Sequence, residues 1–236
     1  MDTVIYFILV PMVYAAFGVF ILGTVIRLIH IFRQPKNPST LQVYPEQKPA
    51  WLWALHDTFL FPTVRRHKPL LWVFLMVFHI CLVLLLISHV ELVADFPGLQ
   101  AIPHEVPIGS GFVGLAAAIC LLYFLYRRFQ SPVRELSVPE DYLLLILIFL
   151  TVLFGAEMDW ARTWYDYGER GVGDYQEYLY GMITFSPELP DVALGSGHSF
   201  MLVVHVFFAN VLLMVFPFTQ LMHAFLSLPM NKLRRG

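Results

Sequence analysis

Four histidines inside apolar segments are the residues with the clearest capacity for chemistry. The sequence has nine histidines; His79 and His89 lie ten residues apart in one apolar segment, and His205 and His223 lie eighteen apart in another. Ionisable groups are costly inside a bilayer and are usually functional there. A neutral imidazole is also a good ligand for iron. Two histidines on each of two helices therefore predict haem iron held at two depths. The histidines are predicted to be ligands, and no residue is predicted to be catalytic.

The spacing of the four histidines favours one pairing between two antiparallel helices. On ideal helices His79 and His89 are roughly 15 Å apart, and His205 and His223 are roughly 27 Å apart on one face. Antiparallel packing is consistent with pairing His79 with His223 and His89 with His205, although His79 and His89 differ by about 80° around an ideal helix. The two separations differ by about 12 Å, which we expect helix tilt and a kink at Pro217 to absorb.

The remaining histidines have weaker claims. His198 lies seven residues before His205 and competes with it as the outer ligand, with His205 favoured because His198 is at the membrane edge. His30 is expected to reach the lipid headgroups, and His56 and His67 fall in a basic loop where they are expected to be solvated. Membrane histidines also hydrogen-bond between helices, so a haem-free anchor protein is the alternative.

Composition indicates the elements that must position these histidines. The 236 residues are 58% hydrophobic and 14% charged, against about 25% charged in soluble domains. An all-α integral membrane protein of one domain, residues 1–236, is therefore predicted, with the first apolar segment too long for a signal sequence and retained. Five segments approach the roughly 20 residues that cross a bilayer: 4–31, 69–94, 107–127, 139–157 and 197–227.

The distribution of charge predicts the orientation of this five-helix bundle. Basic residues concentrate after the first, third and fifth segments, whereas the link after the second has Asp95 and Glu105 and no lysine or arginine. The positive-inside rule then places the N-terminus outside and the C-terminus in the cytoplasm. The net charge of −2 gives no indication of nucleic-acid binding. The basic residues at or after the ends of these three segments are Arg33, Lys36, Lys48, Arg65, Arg66, Lys68, Arg127, Arg128, Arg134, Lys232, Arg234 and Arg235.

Two connecting segments have compositions of their own. Residues 51–61, WLWALHDTFLF, predict a short helix that lies on the membrane or docks a partner. Residues 157–195 are acidic and aromatic. They are expected to form an aromatic belt and solvated cap, or else a lid over a quinone pocket or a docking face for a basic periplasmic electron carrier. Cys81 and Cys120 lie in apolar segments and are expected to be small packing residues.

Two longer motifs carry a family resemblance. Residues 78–89 read FHICLVLLLISH, and residues 216–223 read FPFTQLMH after the eighteen-residue histidine spacing. With five spans and an outer N-terminus, the chain resembles over most of its length the gamma-subunit family of respiratory nitrate reductase. This family comprises five-helix dihaem cytochromes b, including relatives in heterodisulfide-reductase-like and sulfate-reducer complexes.

The resemblance implies cofactors, partners and a location. His79 and His223 would ligate a b-type haem nearer the cytoplasm, and His89 and His205 a second one nearer the outside. Quinol, such as menaquinol, would give up electrons near the outer haem, and a cytoplasmic iron–sulfur or disulfide-reductase-like subunit would receive them. The protein would then be a multi-pass subunit of a respiratory complex in the cytoplasmic membrane of a prokaryote.

The sequence departs from the nitrate-type members at the expected quinone site. Ser88 stands where a glycine often precedes the outer ligand, and the lysine those members carry before the third helix is missing, with His104 the nearest protonatable substitute. Ser88 and His104 are therefore the candidate quinone-binding residues. The alternative direction is a relay from a periplasmic cytochrome c or hydrogenase to quinone or to a cytoplasmic thiol–disulfide subunit.

Overall fold

A computed structural model describes residues 2–34, 48–91, 93, 111–164, 172–187, 189 and 199–234. All regular secondary structure in these ranges is helical, which confirms the predicted all-α class. The α-helices are α1 (Asp2–Leu9), α2 (Pro11–Arg33), α3 (Ala50–Leu60), α4 (Pro62–His67), α5 (Pro69–Glu91), α6 (Phe112–Arg128), α7 (Pro139–Trp164), α8 (Val172–Ile183), α9 (Ser199–Val215) and α10 (His223–Arg234). Short 3-10 helices cover Arg134–Leu136, Phe216–Phe218 and Gln220–Met222.

Within the described ranges, four helical segments are long and apolar enough to cross a membrane. They correspond to the first, second, fourth and fifth predicted spans. The third predicted span is represented by α6, whose 17 residues give a helix of about 26 Å, and residues 107–110 lie outside the described part of the chain. The number of spans and their orientation therefore stay predictions. The four segments are Thr3–Arg33, Pro69–Glu91, Pro139–Trp160 and Phe200–Phe218.

The chain divides into two compact units. Unit 1 comprises Met1–Ala15 and Val77–Leu212, and unit 2 comprises Ala16–Met76 and Leu213–Gly236. In unit 1, α6 packs closely along α7, and a Cβ atom on Gly114 would lie 2.6 Å from the Cβ of Ala156. Small residues allow this close approach of helix backbones.

A buried carboxylate fixes the turn between α6 and α7. Asp141 accepts a 2.6 Å hydrogen bond from Nη1 of Arg128 and a 3.1 Å bond from the backbone N–H of Val138. The second bond is the carboxylate half of a capping box, and Pro139 occupies the first helical position, where its missing N–H is harmless. The Tyr142 hydroxyl donates to the carbonyl of Arg128 at 2.8 Å. The α6–α7 hairpin is therefore tied at its turn by charge and by backbone capping.

The acidic, aromatic segment after the fourth span contains a helix that sequence reasoning did not predict. Helix α7 continues to Trp164, beyond the predicted end of the span at residue 157, and α8 follows. Tyr178 and Met182 of α8 are buried against Leu9 and its neighbours. The Tyr178 hydroxyl donates to the carbonyl of Leu9, and burial raises the pKa of this phenol above its ordinary value. Whether this segment is a cap, a lid or a docking face stays a prediction.

The prediction of one continuous helix for the fifth span, residues 197–227, was wrong. Helix α9 ends at Val215, two 3-10 turns follow with Thr219 extended between them at φ −113° and ψ 179°, and α10 begins at His223. Proline lacks the N–H that continues a helix and clashes with the preceding turn, so Pro217 interrupts the helix rather than bending it. The ideal-helix distance of roughly 27 Å between His205 and His223 therefore does not apply.

In unit 2, the predicted helix at residues 51–61 is confirmed as α3. It packs on α10, where the Asn231 amide donates to the Thr58 hydroxyl at 2.9 Å. The indole of Trp72 on α5 donates to the carbonyl of Leu60 at 2.8 Å, which satisfies an acceptor at the C-terminal end of α3. Whether this surface meets lipid or a partner stays a prediction.

Candidate functional site

Two of the predicted ligand histidines face each other in unit 1. His89 lies near the end of α5 and His205 lies on α9, and their ring centroids are 6.0 Å apart with the ring planes at 29°. Both helices are apolar, and each places its imidazole inside a segment able to cross a membrane. The structure therefore brings together the pair that the sequence assigns to the outer site.

Hydrogen bonds set the tautomer of both imidazoles. His89 Nδ1 is 2.7 Å from the carbonyl of Leu85, one turn earlier on α5, and His205 Nδ1 is 2.9 Å from the carbonyl of Thr151 on α7. A carbonyl only accepts, so each Nδ1 carries the proton and each neutral ring keeps its lone pair on Nε2. Histidines that ligate metals almost always donate their second nitrogen to such an acceptor. Each ring could therefore bind a metal ion through Nε2.

A glycine on α7 lets the His205 ring lie against that helix. A Cβ atom on Gly155 would stand 3.0 Å from Cε1 and 3.2 Å from Nδ1 of His205. The same helix supplies the Thr151 carbonyl one turn earlier. Gly155 and Thr151 thus form a cradle for the His205 ring, which fixes both its position and its rotation.

The separation of the two rings would suit a haem iron held between them. Metal–imidazole bonds of about 2 Å to Nε2 on both sides put the two ring centroids roughly 6 Å apart, which agrees with the 6.0 Å observed. Bis-imidazole ligation needs two histidines only. Within the described ranges, no three histidine, cysteine, aspartate or glutamate side chains gather into a metal site of another kind.

The other predicted site residues are distributed over the chain. His79 lies on α5 in unit 1 with its ring edge-on to Phe78, and His223 begins α10 in unit 2 with Nδ1 2.9 Å from the carbonyl of Gln220. Ser88 directly precedes His89 on α5. His104 and His198 lie outside the described residues, so the choice between His198 and His205 as ligand stays as predicted.

The polar loop histidines lie where the sequence places them. His56 and His67 are exposed in unit 2 and line a shallow cavity with Trp53, Asp57 and Arg66. His30 is exposed at the end of α2 and contacts the Gln34 amide at 3.1 Å. The exposure of His56 and His67 agrees with their predicted solvation, and the headgroup contact of His30 stays a prediction.

Sequence reasoning missed Gly155 and Thr151. Each is an unremarkable residue in an apolar segment, and a backbone carbonyl acceptor carries no sequence signal at all. A glycine interrupting the run LILIFLTVLFGA, residues 145–156, is the one available sign, because glycine in a helix interior often marks close approach of another group.

Comparison with known proteins gives consistent matches. The family described as "Nitrate reductase gamma subunit" matches residues 64–236. The nitrate reductase gamma chain of Bacillus subtilis (strain 168) is 31% identical over 139 residues, which are 56% of this chain and 58% of that protein.

Two archaeal proteins are also similar. The Hdr-like menaquinol oxidoreductase cytochrome b-like subunit of Archaeoglobus fulgidus is 30% identical over 65% of this chain and 47% of its own length. The protein of the same description from Archaeoglobus profundus is 23% identical over 89% of this chain and 73% of its own length. The chain thus matches about half the length of the first two relatives.

Proposed function

The chain belongs to the nitrate reductase gamma subunit family, and on that premise we propose that it is a membrane electron-transfer subunit. In this proposal it carries electrons between the quinone pool and a cytoplasmic iron–sulfur or disulfide-reductase-like subunit through two b-type haems. The relatives include a nitrate reductase gamma chain and a menaquinol oxidoreductase subunit, which supports a subunit that serves a larger redox complex.

The observation that carries the proposal is the facing pair His89 and His205. Their separation suits one metal ion between them, and both carry the proton on Nδ1, away from the ligating nitrogen. The bond from His205 to the Thr151 carbonyl also joins α9 to α7, as in a histidine that bridges two helices. What supports ligation is that both rings make their hydrogen bond through Nδ1 to a backbone carbonyl, which is the support expected for a metal ligand that binds through Nε2.

The chain's own residues bind and orient the cofactor. A haem held there supplies one-electron chemistry. His89 and His205 would hold the outer haem, with Thr151 fixing the rotation of the His205 ring. His79 and His223 are proposed as ligands of the second haem from the sequence spacing and the family resemblance alone.

The proposed electron donor is a menaquinol that binds beside the outer haem. The similar Archaeoglobus proteins are menaquinol oxidoreductase subunits by description, which supports this class of donor. Ser88 adjoins His89 on α5, so its hydroxyl is the proposed hydrogen-bonding group for a quinol oxygen. His104 is the proposed proton acceptor on chemical grounds, since an imidazole accepts a proton near neutral pH.

The proposed topology has five spans, with the N-terminus outside and the C-terminus in the cytoplasm. Basic residues at the C-terminal ends of α2, α4, α6 and α10 support it through the positive-inside rule. This arrangement puts α3 and α10 on the cytoplasmic side. Their exposed tryptophan, leucine and basic side chains would then be available to the partner subunit.

A haem assay tests the proposal directly. Pyridine haemochrome analysis of the purified wild-type chain should give two b-type haems per polypeptide. His205→Ala should give one, because the outer haem loses an axial ligand, and His89→Ala should remove the same one. His67→Ala is the matched control, because it deletes an exposed loop imidazole and should keep both haems.

The competing roles give different results. A stably folded wild-type chain with no haem would identify a haem-free anchor and refute the proposal. Stopped-flow mixing with a menaquinol analogue then tests the direction of transfer. We expect the haem that His205→Ala removes to be reduced before the other haem. If neither haem is reduced, quinol oxidation is contradicted.

A further inference from the structure

The helix break before His223 is held from outside by another helix. Thr219 caps the second 3-10 turn through its hydroxyl, which accepts from Leu221 N–H at 3.4 Å and donates to the carbonyl of Phe216 at 3.1 Å. These local bonds do not satisfy every backbone group that the break releases. A helix end leaves its last carbonyls without partners, and in an apolar surrounding such groups need acceptable donors.

Arg27 of α2 supplies one of those donors. Its guanidinium Nη1 donates to the carbonyl of Pro217, at the centre of the break, and the two residues belong to unit 2. Arg27 is half-buried within an apolar span. A charge at such a position is unfavourable unless it has a specific task, and a charge-assisted hydrogen bond to a released carbonyl is one.

The contact extends along one face of α2. Phe20, Gly23 and Arg27 follow each other at three and four residues, the spacing that aligns side chains on a helix. The ring of Phe20 meets that of Phe216 edge-on at 5.1 Å. A Cβ atom on Gly23 would be 2.9 Å from both Cβ and Cγ of Pro217, so only glycine lets α2 approach the proline this closely.

The shape of the break determines the direction of the His223 ring. His223 Nδ1 bonds the carbonyl of Gln220 inside the second 3-10 turn, so the ring rotation depends on where that turn lies. Pro217 and Met222, at either side of the turn, are each no more than 2% exposed. Holding Pro217 against α2 therefore fixes the backbone from which His223 projects.

We propose that Arg27 and Gly23 are positioning residues for His223. Through their contacts with Pro217 at the helix break, these two residues of α2 set the orientation of the proposed haem ligand. The inference rests on the proposed function, in which His223 ligates the inner haem. The first span would then influence the inner haem, through the orientation of His223, without contributing a ligand.

The test compares the two haems within one protein. In Arg27→Met, the hydrogen bond to Pro217 is lost while the length of the side chain is kept. We expect the low-field electron paramagnetic resonance signal and the midpoint potential of one haem to shift, and that haem to be retained roughly 10–100-fold less tightly, as for other residues that orient metal ligands. The affected haem should be the one that His223→Ala removes, and the His205-dependent haem should be unchanged.

Matched variants separate positioning from general damage. Arg27→Lys keeps a cationic donor and should restore the wild-type signal, and Arg33→Met at the exposed end of the same helix should change neither haem. Gly23→Ala should reproduce the shift with the arginine intact, which covers the case in which Arg27→Met does not fold.

The outcomes distinguish this inference from the proposed function. A wild-type chain without haem refutes both. Two haems in the wild type, with neither signal altered by Arg27→Met or Gly23→Ala, refutes the positioning role alone. An equal shift of both haems also refutes it, since that result indicates a general loss of packing.

Discussion

Gly155→Ala should separate haem affinity from the stability of the chain. The new Cβ atom would stand 3.0 Å from Cε1 and 3.2 Å from Nδ1 of His205, so the ring must move by a few tenths of an ångström. That movement stretches the 2.9 Å bond to the Thr151 carbonyl and tilts Nε2. Loss of ligand orientation typically weakens metal binding about 10–100-fold, equivalent to roughly 1.4–2.8 kcal/mol.

The same substitution favours the helix itself. Alanine is better than glycine in a helix interior by about 1 kcal/mol. That gain is about equal to the cost of the stretched hydrogen bond, so the apoprotein should be about as stable as the wild type while the outer haem binds less tightly. Ordinary destabilisation would instead lower both quantities.

Haem titration of the apoprotein and thermal unfolding in detergent measure the two effects. Gly18→Ala is the matched control, because a Cβ atom at Gly18 of α2 meets no other atom within 4 Å; it should leave haem binding unchanged. Wild-type haem affinity and an unaltered outer-haem spectrum in Gly155→Ala would show that the cradle on α7 does not orient His205.

Two further predictions concern contacts that hold unit 1 together. Tyr178→Phe should destabilise the chain by about 1–3 kcal/mol, because the buried carbonyl of Leu9 loses its donor. Folding raises the pKa of Tyr178. The stabilisation by its hydroxyl should therefore persist below the unfolded pKa of about 10 and be lost as the pH rises through the folded pKa. Unfolding measured over a series of alkaline pH values tests this, and an identical pH dependence in Tyr178→Phe would contradict it. Asp141→Asn should lower the unfolding free energy by about 1.5–3 kcal/mol through the loss of the charge-assisted bond with Arg128. Adding Arg128→Met should recover part of that loss, and strict additivity of the two changes would argue against the pairing.

The start of α7 is an element that the sequence predicts well. Proline at its first position and a carboxylate two residues later are local signals, and the structure places both in capping roles. Four of the five predicted apolar spans correspond to helical segments long and apolar enough to cross a membrane in the described part of the chain, since the hydrophobicity of a segment depends on its own residues. The interruption near Pro217 was predicted only as a kink, because the strength of a proline break depends on which donors outside the helix satisfy the released carbonyls.

Taken alone, the amino-acid sequence determined that this is a helical membrane protein and named His89 and His205 as partners, because hydropathy and residue spacing are properties of one stretch of chain. Only the tertiary structure decided which atoms surround these histidines: the Thr151 carbonyl and the space beside Gly155 at His205, and the guanidinium of Arg27 at the break before His223. The physical reason is that a backbone carbonyl and a missing Cβ atom acquire a function only through what packs against them. Every residue has a backbone carbonyl and every glycine lacks a Cβ atom, so neither feature can be recognised as functional until the packing of the helices is known.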